Sequence, residues 1–137
     1  MTSIFLIILL ITLVILSGFL SGSETAITAT SKARILYKKK KGSKRAGYVL
    51  ELLDKKDNVI STLLLSNNLV NILASSLATA FFYDLFGVEG IFYATLIMTV
   101  VIVIFAEVLP KTYAINRPNR TALLISPIIY YLNKTLF

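Results

Sequence analysis

Ala106-Glu107-Val108-Leu109-Pro110-Lys111 closes an apolar run, residues 91–105, that holds no charged side chain at all. A carboxylate at the centre of a membrane costs about 2.5 kcal/mol or more. A proline three residues later removes a helix hydrogen bond, in regular α-helical register the one that would end on the carbonyl of Ala106. Charge and freed carbonyl therefore fall within one helical turn, which is a way to hold a small hard cation in an apolar setting. The alternative is a glutamate at a helix end whose side chain reaches water. Both readings stand on this stretch alone.

Composition sets the wider frame. The chain has 137 residues, is 56% hydrophobic and only 15% charged, and has a mean hydropathy of +0.79. A soluble domain carries about 25% charged residues, and here the apolar residues come in blocks. The chain therefore reads as a single integral membrane domain covering residues 1–137. Cysteine is absent, which excludes disulfides and thiolate metal sites, and histidine is absent, which removes the usual general base and zinc ligand. Any metal must be held by oxygen, as suits Mg²⁺, Ca²⁺, Na⁺ or Mn²⁺.

Working back toward the amino terminus, residues 59–83 form a second apolar run. It is interrupted by Ser66-Asn67-Asn68-Leu69-Val70-Asn71. Asn68, Asn71, Ser75 and Thr79 are spaced to share one helix face. Such a face serves hydrogen bonding between helices, worth about 0.6–2 kcal/mol per contact, or directs amide oxygens at an ion. The first run carries Ser17, Ser21, Glu24 and Thr28 at helical spacing, and the third carries Thr95 and Thr99 in line with Glu107. Three polar lines in three spans would converge on one polar pocket.

The expected architecture is all-α: spans at about residues 3–22, 59–83 and 90–110, with juxtamembrane amphipathic helices over 23–56 and 118–137. The first run lacks the basic start and cleavage site of a signal peptide and is read as a retained span. Ten of the 14 basic residues lie between Lys32 and Lys56, in the connection between the first two spans. None lies between the second and third. By the positive-inside rule the amino terminus is outside, and the connection and carboxyl end are cytoplasmic. The net charge of +7 therefore faces acidic lipid headgroups, and nucleic acid is not expected as a partner. Gly42-Ser43 divides the connection into two helices, the second amphipathic through Tyr48, Val49, Leu52 and Leu53. Residues 118–137, with Pro127 inside, make a poor fourth span and a better interfacial helix.

Ser21-Gly22-Ser23-Glu24-Thr25-Ala26, Ser66-Asn67-Asn68-Leu69-Val70-Asn71-Ile72 and Ala106-Glu107-Val108-Leu109-Pro110-Lys111-Thr112 resemble, in order and spacing, the signature blocks of the CNNM/CorC family of magnesium transporters. Where that family often has glycine before the paired asparagines, this chain has Ser66. The resemblance implies a homodimer that exports Mg²⁺ from the cytoplasm across the cell membrane, coupled to Na⁺ entry, with a pair of CBS domains following in the full-length protein. It implies no enzyme activity. Carried over by block, the ion ligands would come from Ser21, Ser23, Asn67, Asn68, Asn71 and Glu107. Gly22, Glu24, Pro110 and Lys111 would support the site or its gate. The competing function is a membrane-anchored Mg²⁺ sensor in which the ion is structural and nothing is transported. A serine hydrolase has little footing, because Ser21 and Ser23 have no histidine base and Lys111 belongs to no recognisable dyad.

Overall fold

In the computed structural model, which describes residues 2–136, the chain is helical almost throughout. Met1 and Phe137, the end residues of the expected single domain, lie outside the described residues. Helix α1 runs Thr2–Ala29, α2 Lys32–Lys40, α3 Lys44–Asp54, α4 Lys56–Phe86 and α5 Val88–Val101. A π-helical segment, Ile102–Val108, follows, then α6, Leu109–Asn116, and α7, Pro118–Leu136. Three stretches are long and apolar enough to cross a membrane: Ile4–Ala29, Lys56–Phe86 and Val88–Asn116, the last joining α5, the π segment and α6. This is a multi-pass membrane protein.

Two boundaries differ from the sequence reading. The helix does not end near residue 22 but continues to Ala29. Two of the polar residues past that point bond their own backbone: Ser23 Oγ donates to the Phe19 carbonyl at 2.7 Å and Thr28 Oγ1 to the Glu24 carbonyl at 2.8 Å. Such back-bonding lets serine and threonine sit inside a helix. The break comes instead at Thr30-Ser31, where Ser31 caps α2 by accepting from the Arg34 N–H at 3.5 Å. The second span is likewise longer than expected, starting at Lys56, one residue after α3 ends its cap at Lys55.

Gly42, at φ +97°, turns the chain between α2 and α3, and Ser43 caps α3 through the Ala46 N–H at 3.3 Å. Val49 and Leu52 of the expected α3 face are buried, while Arg45, Glu51 and Lys55 are exposed. That face does not merely lie on lipid. It packs on α7, with the rings of Tyr48 and Tyr130 4.9 Å apart, and joins Leu20, Ile27, Ile35, Leu63 and Ile129 in the larger of two apolar cores. Hydrogen bonding to the Glu51 carboxylate, and then its charge, raise the Tyr130 phenol above its ordinary pKa. Hydrogen bonding with Tyr131 does the same for Tyr48. Thr62 Oγ1 lies within hydrogen-bonding distance of both the Asn58 carbonyl (2.9 Å) and Asn133 Oδ1 (3.2 Å), tying α4 to α7.

The other core is small: Leu13 with Ala74, Ala78 and Met98, between α1, α4 and α5. Much of what surrounds it points outward, including Ile8, Ile15, Leu69, Ile72, Phe92 and Leu96. Such surface suits lipid tails, since a spanning helix satisfies its own backbone and needs no polar cover.

Candidate ion site between the first and second spans

The most enclosed polar cluster joins α1 to α4. Ser17 and Ser21 are one turn apart on α1, and Asn67 and Asn71 one turn apart on α4, so the two pairs meet edge to edge. Ser17 Oγ lies 2.7 Å from Asn67 Oδ1 and also contacts Asn71 Oδ1. Asn67 Nδ2 donates to Ser21 Oγ at 2.9 Å. Ser17 and Ser21 are fully buried and Asn67 is 8% exposed, while Asn71 is half-buried. A hydroxyl has one hydrogen. Three oxygens, Ser17 Oγ, Asn67 Oδ1 and Asn71 Oδ1, thus gather around a single proton. The cluster thus turns three side-chain oxygens toward one point, as a hard cation requires.

The third span reaches the same stretch of α1 by its backbone. A Cβ placed on Gly18 would stand 3.2 Å from the Phe105 carbonyl oxygen and 3.2 Å from Pro110 Cγ, and one on Gly22 would stand 3.5 Å from Pro110 Cβ. The Gly18-x-x-x-Gly22 spacing is what lets the two backbones approach. The π segment changes the sequence reading of the proline. Leu109 N–H reaches back five residues to the Ile104 carbonyl. In that register the carbonyl that loses its donor to Pro110 is Phe105, not Ala106. The freed oxygen therefore belongs to the residue that lies against Gly18, one position from Ser17.

The sequence-derived site residues divide into groups. Ser21, Asn67 and Asn71 meet in the cluster. Ser23 is buried but turned to its own helix, and Asn68 is exposed on α4. The polar face assigned to Asn68, Asn71, Ser75 and Thr79 is thus split: Asn67 and Asn71 face α1, whereas Ser75 and Thr79 line a cleft of about 290 Å³ with Thr95, Thr99 and Met98 of α5. In that cleft Thr79, Thr95 and Thr99 each donate to a carbonyl four residues back on their own helix. Glu107 lies inside the π segment, half-buried, next to the fully buried Ala106. Among the described residues its carboxylate has no hydrogen bond or ion pair in this structure. Gly22 and Pro110 are in contact, Glu24 is half-buried, and Lys111 is exposed.

Ser17 and Gly18 were missing from the ligand set. The signal was present as two interleaved four-residue steps, Ser17 to Ser21 and Gly18 to Gly22, which put a hydroxyl edge and a bare edge side by side on α1. π segments are rare and recur at functional sites, and nothing in a 3.6-residue pattern announces one.

Residues 7–137 match the family model described as the Cyclin M transmembrane N-terminal domain, CNNM. The chain is 41% identical over 129 residues to the UPF0053 inner membrane protein YfjD of Escherichia coli K12, covering 86% of this chain and 30% of that protein. It is 37% identical over 132 residues to a UPF0053 protein of Haemophilus influenzae, covering 96% and 31%. A chloroplastic DUF21 domain-containing protein of Arabidopsis thaliana is 31% identical over 124 residues, covering 89% and 18%. The chain thus spans under a third of the length of these relatives.

Proposed function

Since this chain belongs to the CNNM transmembrane-domain family, we propose that it carries Mg²⁺ across the membrane through the Ser17–Asn71 cluster and acts as a transporter, not an enzyme. The observation that carries the reading is the convergence of Ser17 Oγ, Asn67 Oδ1 and Asn71 Oδ1 in a buried seam between two spans. Mg²⁺ takes octahedral oxygen at about 2.0–2.1 Å, so neighbouring ligands stand about 3 Å apart. The 2.7 Å separation between Ser17 Oγ and Asn67 Oδ1 is close to that spacing, so replacing the shared proton by an ion requires little movement there. Asn67 Oδ1, Asn71 Oδ1 and the hydroxyls of Ser17 and Ser21 supply neutral ligands. The Phe105 carbonyl, opposite Gly18, adds a dipole from the third span, and Glu107 in the same π segment supplies charge. Waters complete the shell, as is usual for an ion that dehydrates reluctantly.

One carboxylate leaves a bound Mg²⁺ with net charge +1, whereas Na⁺ on the same ligands is neutralised. Binding weak enough for release suits transport, and the shared ligands give a simple route to Mg²⁺–Na⁺ exchange. The direction we propose, Mg²⁺ leaving the cytoplasm, comes from the family resemblance, and the positive-inside rule puts the exit on the side of the amino terminus. Assembly as a homodimer and attachment to a CBS-domain pair in the full-length protein belong to the same proposal.

The test is Mg²⁺ flux in proteoliposomes with the Glu107→Gln and Asn67→Ala variants, alongside Mg²⁺-dependent thermal stabilisation in detergent. Loss of both signals in both variants supports the assignment. Wild-type flux in both would overturn it. Binding by the wild-type chain without any flux would favour the sensor reading. Isothermal titration adds the coupling test: Na⁺ must weaken Mg²⁺ binding, and an unchanged affinity removes the exchange idea.

A further inference from the structure

Four cations where α2 meets the start of α7 play no part in that account. Arg34 and Lys38, one turn apart on α2, and Arg117 and Arg120, on either side of Pro118, line a cleft of about 260 Å³ together with Asn116 and Asn119. No acid lines it. The convergence is built, not incidental. Asn119 Oδ1 accepts from Thr30 Oγ1 at 2.6 Å and from the Ser31 N–H at 2.8 Å. That pair of bonds ties the α1–α2 turn to the first turn of α7 and so brings α2's two cations up against the two arginines.

Like charges held together repel, and nothing on the protein side of the cleft offsets them. The helix adds to the field. Its first return bond runs from Thr121 N–H to the Arg117 carbonyl at 3.0 Å, which leaves the N–H groups of Asn119 and Arg120 at the positive end of a 19-residue helix. Arginine forks match the paired oxygens of a phosphate. We propose that this cleft binds the phosphate of an acidic phospholipid headgroup.

Position argues for a lipid over a soluble phosphate. The third span ends at Asn116 and the cleft begins at that residue. Leu36, Tyr37, Tyr113 and Ile115, within three residues of its lining in sequence, are all exposed apolar or aromatic side chains, which suits acyl chains and the interfacial level of the membrane. The remaining lysines of α2, including Lys39 and Lys40, are exposed but do not line the cleft. They serve as the internal control.

The experiment is native mass spectrometry of the chain in neutral detergent with phosphatidylglycerol, phosphatidylcholine or inorganic phosphate added. Phosphatidylglycerol is expected to be retained and phosphatidylcholine lost. Both Arg117→Gln/Arg120→Gln and Arg34→Gln/Lys38→Gln should lower retention about tenfold, by loss of charge-assisted phosphate bonds. Lys39→Gln/Lys40→Gln removes the same charge from outside the cleft and should change it less than about twofold. Equal losses in all three pairs would reduce the effect to diffuse charge and overturn the site. Retention of phosphatidylcholine as well as phosphatidylglycerol would overturn it too, and displacement of the lipid by equimolar inorganic phosphate would assign the cleft to a soluble anion instead. Should the α7 pair fail to fold, the α2 pair, on an exposed helix face, decides the matter alone.

Discussion

Two polar clusters lie within the same bundle, one of serines and asparagines and the other of serine and threonines, and they behave differently. Between α1 and α4, Ser17, Ser21, Asn67 and Asn71 bond across the helix interface. Between α4 and α5, Thr79, Thr95 and Thr99 bond to their own helices and only lend oxygen to the cleft they line. The difference lies in the partners: an amide has reach and two donors, whereas a hydroxyl next to its own backbone finds an acceptor one turn back. A cross-helix network is held together by bonds that an ion could replace. A self-satisfied row has little to exchange.

Backbone contact gives the largest expected effect. A Cβ on Gly90 would stand 2.0 Å from the Phe82 carbonyl oxygen, so Gly90→Ala should lower stability by about 3 kcal/mol or prevent folding, because the α4–α5 turn cannot absorb it without moving backbone. Gly18→Ala meets the Phe105 carbonyl and Pro110 at 3.2 Å and should cost about 1–2 kcal/mol. Thermal unfolding in detergent reads both. Gly47→Ala, where a Cβ would meet nothing, should stabilise its helix slightly.

Cutting the cross-helix network comes next. Asn67→Ala leaves Ser17 and Ser21 buried with fewer partners and should cost about 1–2 kcal/mol. Asn68→Ala, at an exposed neighbour, should stay within about 0.5 kcal/mol in the same unfolding measurement. Equal losses would erase the distinction between the adjacent amides. The smallest effects belong to self-bonded hydroxyls: Ser23→Ala and Thr79→Val should each change stability and Mg²⁺-dependent stabilisation by less than about 0.5 kcal/mol. A large loss of Mg²⁺ response in Thr79→Val would move the functional weight to the α4–α5 cleft.

Much of the fold was legible because it follows from solvent. Long uncharged apolar runs, with lysine and arginine confined to one side of them, read as spans, and the amphipathic pattern of α3 announced its buried face. The candidate site was legible in part. Ser21 and Asn71 were placed by periodicity, but Asn67 and Asn68 are neighbours about 100° apart on a helix, and their own pattern favoured the wrong one of the two for contact with α1. Continuing the third span in α-helical register also put Glu107 in line with Thr95 and Thr99. The π segment inserts its wider turns before Glu107 and breaks that line. Whether Ser21-Gly22-Ser23-Glu24 ends a helix depends on where hydroxyls find acceptors, which is decided by packing and not by residue type.

The central claim is that the cation sits among Ser17, Ser21, Asn67 and Asn71, with charge from the π segment. Crystals of the chain soaked in Mn²⁺, an anomalous scatterer of similar coordination chemistry, test it most directly. The account predicts one anomalous peak within about 2.2 Å of the Asn67 and Asn71 amide oxygens, lost in Asn67→Ala. A peak bound only at Asn68, at Glu24 or in the Ser75–Thr99 cleft, with the Ser17–Asn67 hydrogen bond still intact, would contradict it.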